Sequence, residues 1–562
     1  MKVLLVSPPI QDFYFTPQRA YPLGLAYLAS TLRQNDFNVK ILNCTAANKR
    51  ITLKIPAEFN YLKEFYKPNK SPFCLFSNYY HFGLSFEEIE ENIRAFNPQV
   101  IGISANFSAY FDSALKIAQI AKKIDKRAIV VCGGRFPTIC PEIPLKSKNI
   151  DFVIRGEAEY SFSQFCKHLK GAGPKRIEGL CYRSKGKTRI DEKIGLIKDL
   201  NLLPFPERGL IDNSVYKFQG LASTSLISSR GCSLGCKFCG ISEKFRFRSA
   251  ENVFEEVTKA YLLGVRHFNF EDDNANLNPE FEKILDLLIA DFSGKIKISF
   301  MNGLLSKGIN KVLREKLQKC GLTHLDLSLV SAKESVRRKS CRKEQQKSVF
   351  SLSDSIAPSG IPVTVHFIVS LPYQNIAHCL ADVKTLALRR VFLGPSIFYP
   401  VIESPFFNYL KGNFSTGVKD YRFFRSSCAY FDKNMPRNHI FFVFYLSRII
   451  NFIKHLLDEY SLNEENFLSF LKEKTSNFDI LSNNFQSRQK IDKTILGAIA
   501  LRKMFKEYKV FRIRETSGAS GFSYDFIQEE FIDQKLLKNL LKVLVIKAVS
   551  GNSCIKMRKL LF

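Results

Sequence analysis

Short, uniformly apolar runs separated by amphipathic stretches dominate the first third of the chain. Val3–Val6, Val39–Leu42, Val100–Ser104 and Ala128–Cys132 are apolar at nearly every position. Runs this short and this uniform predict strands buried on both faces. Between them, Leu23–Leu32 and Ser113–Ile124 repeat apolar residues at helical spacing. Strands and helices alternating in this way predict a doubly wound parallel sheet, a Rossmann-like α/β arrangement, over residues 1–195. Ligands on such sheets sit at the carboxyl ends of the strands. Those ends carry Ser7-Pro8-Pro9, Ser104, Gly133-Gly134 and Gly156-Glu157.

A second series follows residues 196–219, where Leu203-Pro-Phe-Pro206 predicts an extended linker. Thr224–Ser228, His267–Phe270, Lys295–Phe300, Leu325–Leu329, Val363–Val369 and Ser396–Tyr399 read as strands. Glu251–Leu263, Pro279–Ala290 and Ile309–Lys319 read as helices between them. Six strands in such a series predict a partial (β/α)6 TIM barrel over residues 220–415, with its chemistry at the strand C-termini. Residues 416–562 read as a helical, basic, Phe-rich region. Within it, Ile440–Ile453 is apolar but broken by Arg448, and is shorter than the ~20 residues of a bilayer span. Leu536, Leu537, Leu540, Leu541, Leu544 and Val545 form an apolar helix face beside Lys535, Lys538 and Lys542. That face suits packing on its own protein, contact with an anionic membrane surface, or admission of a lipid.

Formal net charge is +30. Such an excess admits nucleic acid, an anionic membrane or an acidic partner. A compositional bias toward Lys, Asn, Ile and Phe, with no Trp, accounts for it equally well. No Arg/Gly-rich arm, zinc finger or helix-turn-helix pattern supports nucleic acid, so none is expected as a partner. The N-terminal apolar run is too short for a signal peptide and lacks a cleavage pattern. The expected location is therefore the cytoplasm, where thiols stay reduced.

Candidate chemistry concentrates in Ser229-Arg-Gly-Cys-Ser-Leu-Gly-Cys-Lys-Phe-Cys-Gly240. Cys232, Cys236 and Cys239, spaced C-x3-C-x2-C, can hold three irons of a [4Fe–4S] cluster and leave the fourth open to a small molecule. Zinc normally takes four ligands, or three plus water, and no fourth Cys or His lies nearby in sequence. A disulfide would leave one thiol over. Gly231, Gly235 and Gly240 let the backbone fold closely, and Phe238 sets an aromatic between the last two thiols. Glu271-Asp272-Asp273 ends the second barrel strand; three adjacent carboxylates repel unless a cation is near, although Asp and Asn also cap helices.

The cysteine spacing, the aromatic before the last Cys and the strand leading in resemble the radical S-adenosylmethionine (SAM) superfamily. Ser7-Pro-Pro9, Pro22-Leu-Gly-Leu-Ala-Tyr-Leu-Ala29, Ile101-Gly-Ile-Ser104, Gly133-Gly134 with Pro137-Thr138, and Gly156-Glu-Ala-Glu159 resemble the cobalamin-binding domain often joined to that core. The resemblance spans roughly residues 1–410. It implies cluster ligation by the cysteine trio. It further implies SAM contacts from Phe238, Gly240, Glu271, Asp272, Asp273, Asn302 and Ser331. Cobalamin contacts would come from Ser7, Pro8, Pro9, Ser104, Gly133, Gly134, Gly156 and Glu157.

The implied activity is cleavage of SAM to a 5′-deoxyadenosyl radical, with cobalamin-dependent methyl transfer to an unactivated carbon of a small metabolite or lipid. A flavodoxin- or ferredoxin-type protein would donate electrons. A non-methylating cyclase or rearrangement enzyme and a degenerate, non-catalytic relative are the alternatives. The sequence departs from the family in four places. It has no Asp-x-His-x-x-Gly, so no histidine is placed to coordinate cobalt. Arg135-Phe136-Pro137 stands where Ala-His-Pro is common, Val330-Ser-Ala332 where Glu-Ser-Gly is usual, and Ser370 where a Gly is common. Replacing Cys232, Cys236 or Cys239 with Ala is expected to abolish the brown colour and most of the bound iron of anaerobically reconstituted protein, measured by absorbance and iron assay.

Overall fold

Each short apolar run forms a strand in the computed structural model, which describes residues 1–538 apart from 17–19, 48, 242–243, 343–344, 412–419, 430–434, 463, 481 and 519–520. The N-terminal elements are β1 (Lys2–Ser7), α1 (Leu23–Arg33), β2 (Asn38–Asn43), α2 (Phe86–Phe96), β3 (Val100–Ser104), α3 (Phe111–Ile124), β4 (Ile129–Gly133), β5 (Phe152–Ile154), α4 (Ala158–Leu169), β6 (Leu180–Ser184) and β7 (Lys187–Arg189). They build one sheet of order β7-β6-β5-β4-β3-β1-β2. β2, β1, β3, β4 and β5 run parallel, and β6 and β7 extend the edge antiparallel. Val3 to Val6 have no exposed surface, because helices cover both faces of the central strand. Strand order reverses between β1 and β3, which opens a crevice at Ser7 and Ser104.

The barrel follows as β8 (Leu221–Leu226), α5 (Ala250–Leu262), β9 (His267–Phe270), α6 (Phe281–Phe292), β10 (Lys297–Phe300), α7 (Lys311–Lys319), β11 (Leu325–Val330), α8 (Gln346–Ile356), β12 (Val363–Val369), α9 (Ile376–Ala387) and β13 (Phe392–Ile397). β8, β9 and β10 pair in parallel, as do β11, β12 and β13. Parallel bridges Ile298–Leu322 and Leu304–Leu327 join the two halves. The last strand starts earlier than Ser396–Tyr399, because Gly394-Pro395 reads as a breaker. Among the described residues β13 pairs only with β12, and an edge strand tolerates proline. Phe268, Phe270, Ile298, Leu327, Val365 and Phe367 face outward into the main core beneath the helices.

Three regions differ from the sequence expectation. The 196–219 segment is packed rather than extended: Leu200, Leu203, Ile211 and Tyr216 are buried in the core of the first sheet. Residues 44–85 form an insertion in which Tyr79–Phe82 pairs antiparallel with Ile10–Asp12 on one side and with Arg50–Leu53 on the other. The C-terminal region holds α10 (Arg437–Glu459), α11 (Glu464–Lys474), β14 (Asn484–Ser487), α12 (Lys493–Glu507), β15 (Phe511–Gly518) and β16 (Gly521–Gln528), so a three-stranded antiparallel sheet interrupts its helices. Among the described residues α10 is long and apolar enough to cross a membrane by length and composition, but 67% of its most apolar stretch is buried in the protein. Of the Leu face, Leu537 is buried and Leu536 packs on the core, whereas residues 540–545 lie outside the described ones.

A buried charge cluster joins the halves. Glu256 on α5 accepts hydrogen bonds from Arg208 Nη2 at 2.6 Å and Arg248 Nη1 at 2.5 Å, and Tyr27 on α1 donates to it at 3.4 Å. Burial alone would push the Glu256 carboxyl up, but the two guanidiniums hold it below its ordinary range. Glu256→Gln would remove the carboxylate that these two buried cations share. It is expected to cost about 3–5 kcal/mol, read as a lower urea midpoint for the far-UV signal.

Candidate active site

The cysteine loop leaves β8 through Ser228 and Ser229, and its position is set by Asp272. That carboxylate is 2% exposed. It accepts the Ser228 amide at 3.0 Å and the Ser228 and Ser229 hydroxyls at 2.7 and 2.5 Å. Burial pushes its pKa up, opposed by these hydrogen bonds. Asp272 therefore anchors the loop and does not line the cavity beside it. Asn302 plays a related part, donating to the backbone oxygens of Glu271 at 3.1 Å and Asp272 at 3.3 Å.

Gly231 and Gly235 turn the loop at φ +83° and +64°, conformations that L side chains rarely adopt. The Cys239 amide closes a turn onto Cys236 O at 3.0 Å, and Lys237 N binds Ser340 O at 3.0 Å. Asn274 Nδ2 approaches Cys232 Sγ at 3.4 Å, and Arg342 Nη1 lies 3.9 Å from Cys236 Sγ. Phe238 packs against Val330, Leu371, Phe398 and Phe406 at the barrel rim. Burial pushes the Cys236 and Cys239 thiols up, and neighbouring Arg342 and Arg135 respectively oppose that shift.

Cys236, Cys239 and Gly240 open onto a cavity of about 1330 Å³ between the sheet and the barrel. Its opposite wall holds Ser7, Pro8, Pro9, Ser104, Gly133, Gly134, Gly156 and Glu157, together with Asn106, Phe107, Tyr110 and Arg135. Glu271 and Asp273 also reach it, and Ser225 donates to Glu271 at 2.5 Å. A Cβ on Gly133 would come no closer than 3.7 Å to Ile154 O, so the strand end there is open. Gly156 has a different reason: a Cβ would strike Gly195 O at 2.3 Å.

Glu157 binds within the protein. Arg246 grips it in a bidentate pair at 2.7 and 2.9 Å, and Arg230 lies 3.3 Å away. Against the upward push of burial, these cations hold its carboxyl below the usual range. Arg230 also pairs with Glu159 at 2.6 Å. Ser331 is fully buried and donates to Asp382 at 2.8 Å, away from the cavity. Phe424 and Arg425, from beyond the barrel, complete one wall. Sequence reasoning passed over these two because their role comes from the return of the chain to Asp12, which Arg425 approaches at 3.5 Å.

Family models match this layout. The B12 binding domain matches residues 76–165, and the Radical SAM superfamily matches residues 226–386. The chain carries a B12-binding domain and a radical SAM core. It is 33% identical over 287 residues to an uncharacterized methyltransferase, PH0819, of Pyrococcus horikoshii, covering 50% of this chain and 54% of that protein. It thus spans about half of that relative's length. It is 26% identical over 382 residues to cytidylyl-2-hydroxyethylphosphonate methyltransferase of Streptomyces wedmorensis, covering 57% and 67%. The fold is similar to that of the cobalamin-dependent S-adenosylmethionine radical enzyme OxsB with aqua-cobalamin bound. The TM-score is 0.58 at 12% identity, covering 98% of this chain and 80% of that one.

The two domains imply a [4Fe–4S] cluster, SAM and cobalamin, and the residues present fit them. Two of the three thiols face the cavity. Among the described residues no three His, Cys, Asp or Glu side chains gather tightly enough for a single metal ion; a cluster spreads its three thiolates over three irons. The cavity exceeds the about 300–1,000 Å³ of a single-ligand pocket, which suits several large groups side by side.

Burial pushes Asp382, the partner of Ser331 at the radical SAM core's rim, up to about 7. Its folded pKa thus lies above the unfolded value of about 4, so its contribution to stability is full below that pH and is lost as pH rises through 7. Asp382→Asn is expected to flatten this part of the stability profile, raising the urea midpoint at pH 8 relative to wild type and not at pH 5.

Proposed function

We propose that the chain is a cobalamin-dependent radical SAM methyltransferase acting at an unactivated carbon of a small molecule. The single observation that supports this reading most is the shared cavity. Two cluster thiols and all eight strand-end residues assigned to cobalamin border the same space, so the groups implied by the two domains would meet there. When bound, they supply one-electron cleavage of SAM, hydrogen-atom abstraction and methyl delivery.

The chain's own residues do the rest. Cys232, Cys236 and Cys239 would hold the cluster, and Asn274 and Arg342 point N–H donors at the sulfurs of the first two. Asp273 and Glu271 offer carboxylates from the barrel side, suited to charge-assisted hydrogen bonds from the SAM ammonium. Asp272, Asn302 and Ser331 act behind them as supports. Ser7, Ser104 and the open face of Gly133 would receive cobalamin at the sheet's crevice. The walls contributed by Tyr110, Phe424 and Arg425 would keep water from the reacting carbon. An external protein of flavodoxin or ferredoxin type would deliver electrons, in the reducing cytoplasm.

Anaerobic incubation of the reconstituted chain with SAM, cobalamin and a low-potential reductant is expected to yield 5′-deoxyadenosine, with S-adenosylhomocysteine rising in step once the substrate is supplied. Deoxyadenosine without S-adenosylhomocysteine, in the presence of a converted substrate, would replace methyl transfer by cyclisation or rearrangement. Absence of both from protein with full iron content would overturn the enzymatic reading.

A further inference from the structure

Arg135 belongs to the B12-binding domain yet reaches the cysteine loop. It opens the short helix Arg135–Ile139 directly after Gly133-Gly134. Gly134 sits at φ +112°, and a Cβ there would lie 2.7 Å from Asn106 Oδ1 and 3.1 Å from the Ala105 carbonyl carbon. Only glycine fits, and the direction in which Arg135 leaves the sheet is thereby fixed. The Arg135 amide donates to the same Asn106 Oδ1 at 3.3 Å. Its guanidinium crosses the domain boundary and donates to Gly240 O, one residue past Cys239. Gly240 in turn has no room for a side chain, because a Cβ would lie 2.6 Å from Val401 Cγ1. The loop is therefore pressed between the barrel rim and a cation from the other domain.

Each cavity-facing thiol has one guanidinium for a neighbour. Arg342, from the barrel, serves Cys236. Arg135 serves Cys239 by its hydrogen bond to the oxygen of the adjoining Gly240. A fixed positive charge favours the more negative form of any centre beside it. Net charge and hydrogen bonding around the sulfurs are what set the potential of an iron–sulfur centre.

We propose that Arg135 is a positioning residue for the cluster loop whose charge raises the reduction potential of the centre held there, so that electron uptake depends on the B12-binding domain being seated. The inference rests on the cysteine trio holding a cluster. It is tested on the full chain, reconstituted anaerobically with iron and sulfide, as wild type, Arg135→Ala and Arg135→Lys. Iron content and the midpoint potential, followed by electron paramagnetic resonance during reductive titration, are the readouts. Arg135→Ala is expected to keep its iron and to shift the midpoint to more negative potential, with Arg135→Lys restoring most of the wild-type value. Loss of iron in the Ala variant that Lys restores also supports the positioning role. An unchanged midpoint in Arg135→Ala with full iron overturns this inference alone, and so does loss of iron in both variants. Wild-type protein that takes up no iron overturns this inference and the proposed function together.

Discussion

Charge taken out of water must meet opposite charge, and this requirement sets the two α/β halves against each other. Glu157 and Glu159 leave the first sheet and meet Arg230 and Arg246 of the second domain. Arg230 lies just before the first cysteine of the trio and Arg246 shortly after the last, so the loop is held at both ends by the neighbouring domain. Behind them, Arg208 and Arg248 converge on the buried Glu256. Buried pairs of this kind add little net stability compared with apolar packing, but losing one partner is severe. Their effect here is one of registration. The cavity owes its width and its facing walls to where these charges meet.

That role explains which site residues were legible. The β/α order, the trio and the strand-end residues follow from apolar periodicity and spacing, which are local properties. The roles of individual acids are not local. Asp272 and Asp273 are adjacent and chemically identical, yet one is turned inward to Ser228 and Ser229 while the other reaches the cavity. Glu157 stands at a strand end as a ligand contact would, but its carboxylate is taken by Arg246, nearly ninety residues away in sequence. The C-terminal sheet was hidden for another reason. Phe511-Arg-Ile-Arg and Phe522-Ser-Tyr-Asp-Phe alternate with period two, but they lie in a Phe-rich, basic background that suggests helix as readily as strand.

The barrel rim shows how the fold tolerates its departures from the family pattern. Ser370 stands where a glycine is common, and its φ is +72°. Val330, before Ser331, has φ +67°, an unusual conformation for a β-branched residue. At both strand ends the backbone follows a left-handed path that favours glycine. Surrounding packing offsets the strain: Val330 is fully buried among Leu371, Phe398 and Phe406.

The insertion of residues 44–85 has its partners at the far end of the chain. Phe65 stacks on Phe441 with ring centroids 4.3 Å apart, Phe73 meets Tyr445 and Phe452, and Asn69 donates to Tyr445 across 376 residues of sequence. During synthesis on the ribosome these aromatics emerge early and stay uncovered until α10 has been translated. The nascent polypeptide thus carries a sticky surface through most of its own elongation. Such a surface exposes folding to aggregation before the fold is complete, the situation chaperones exist to manage.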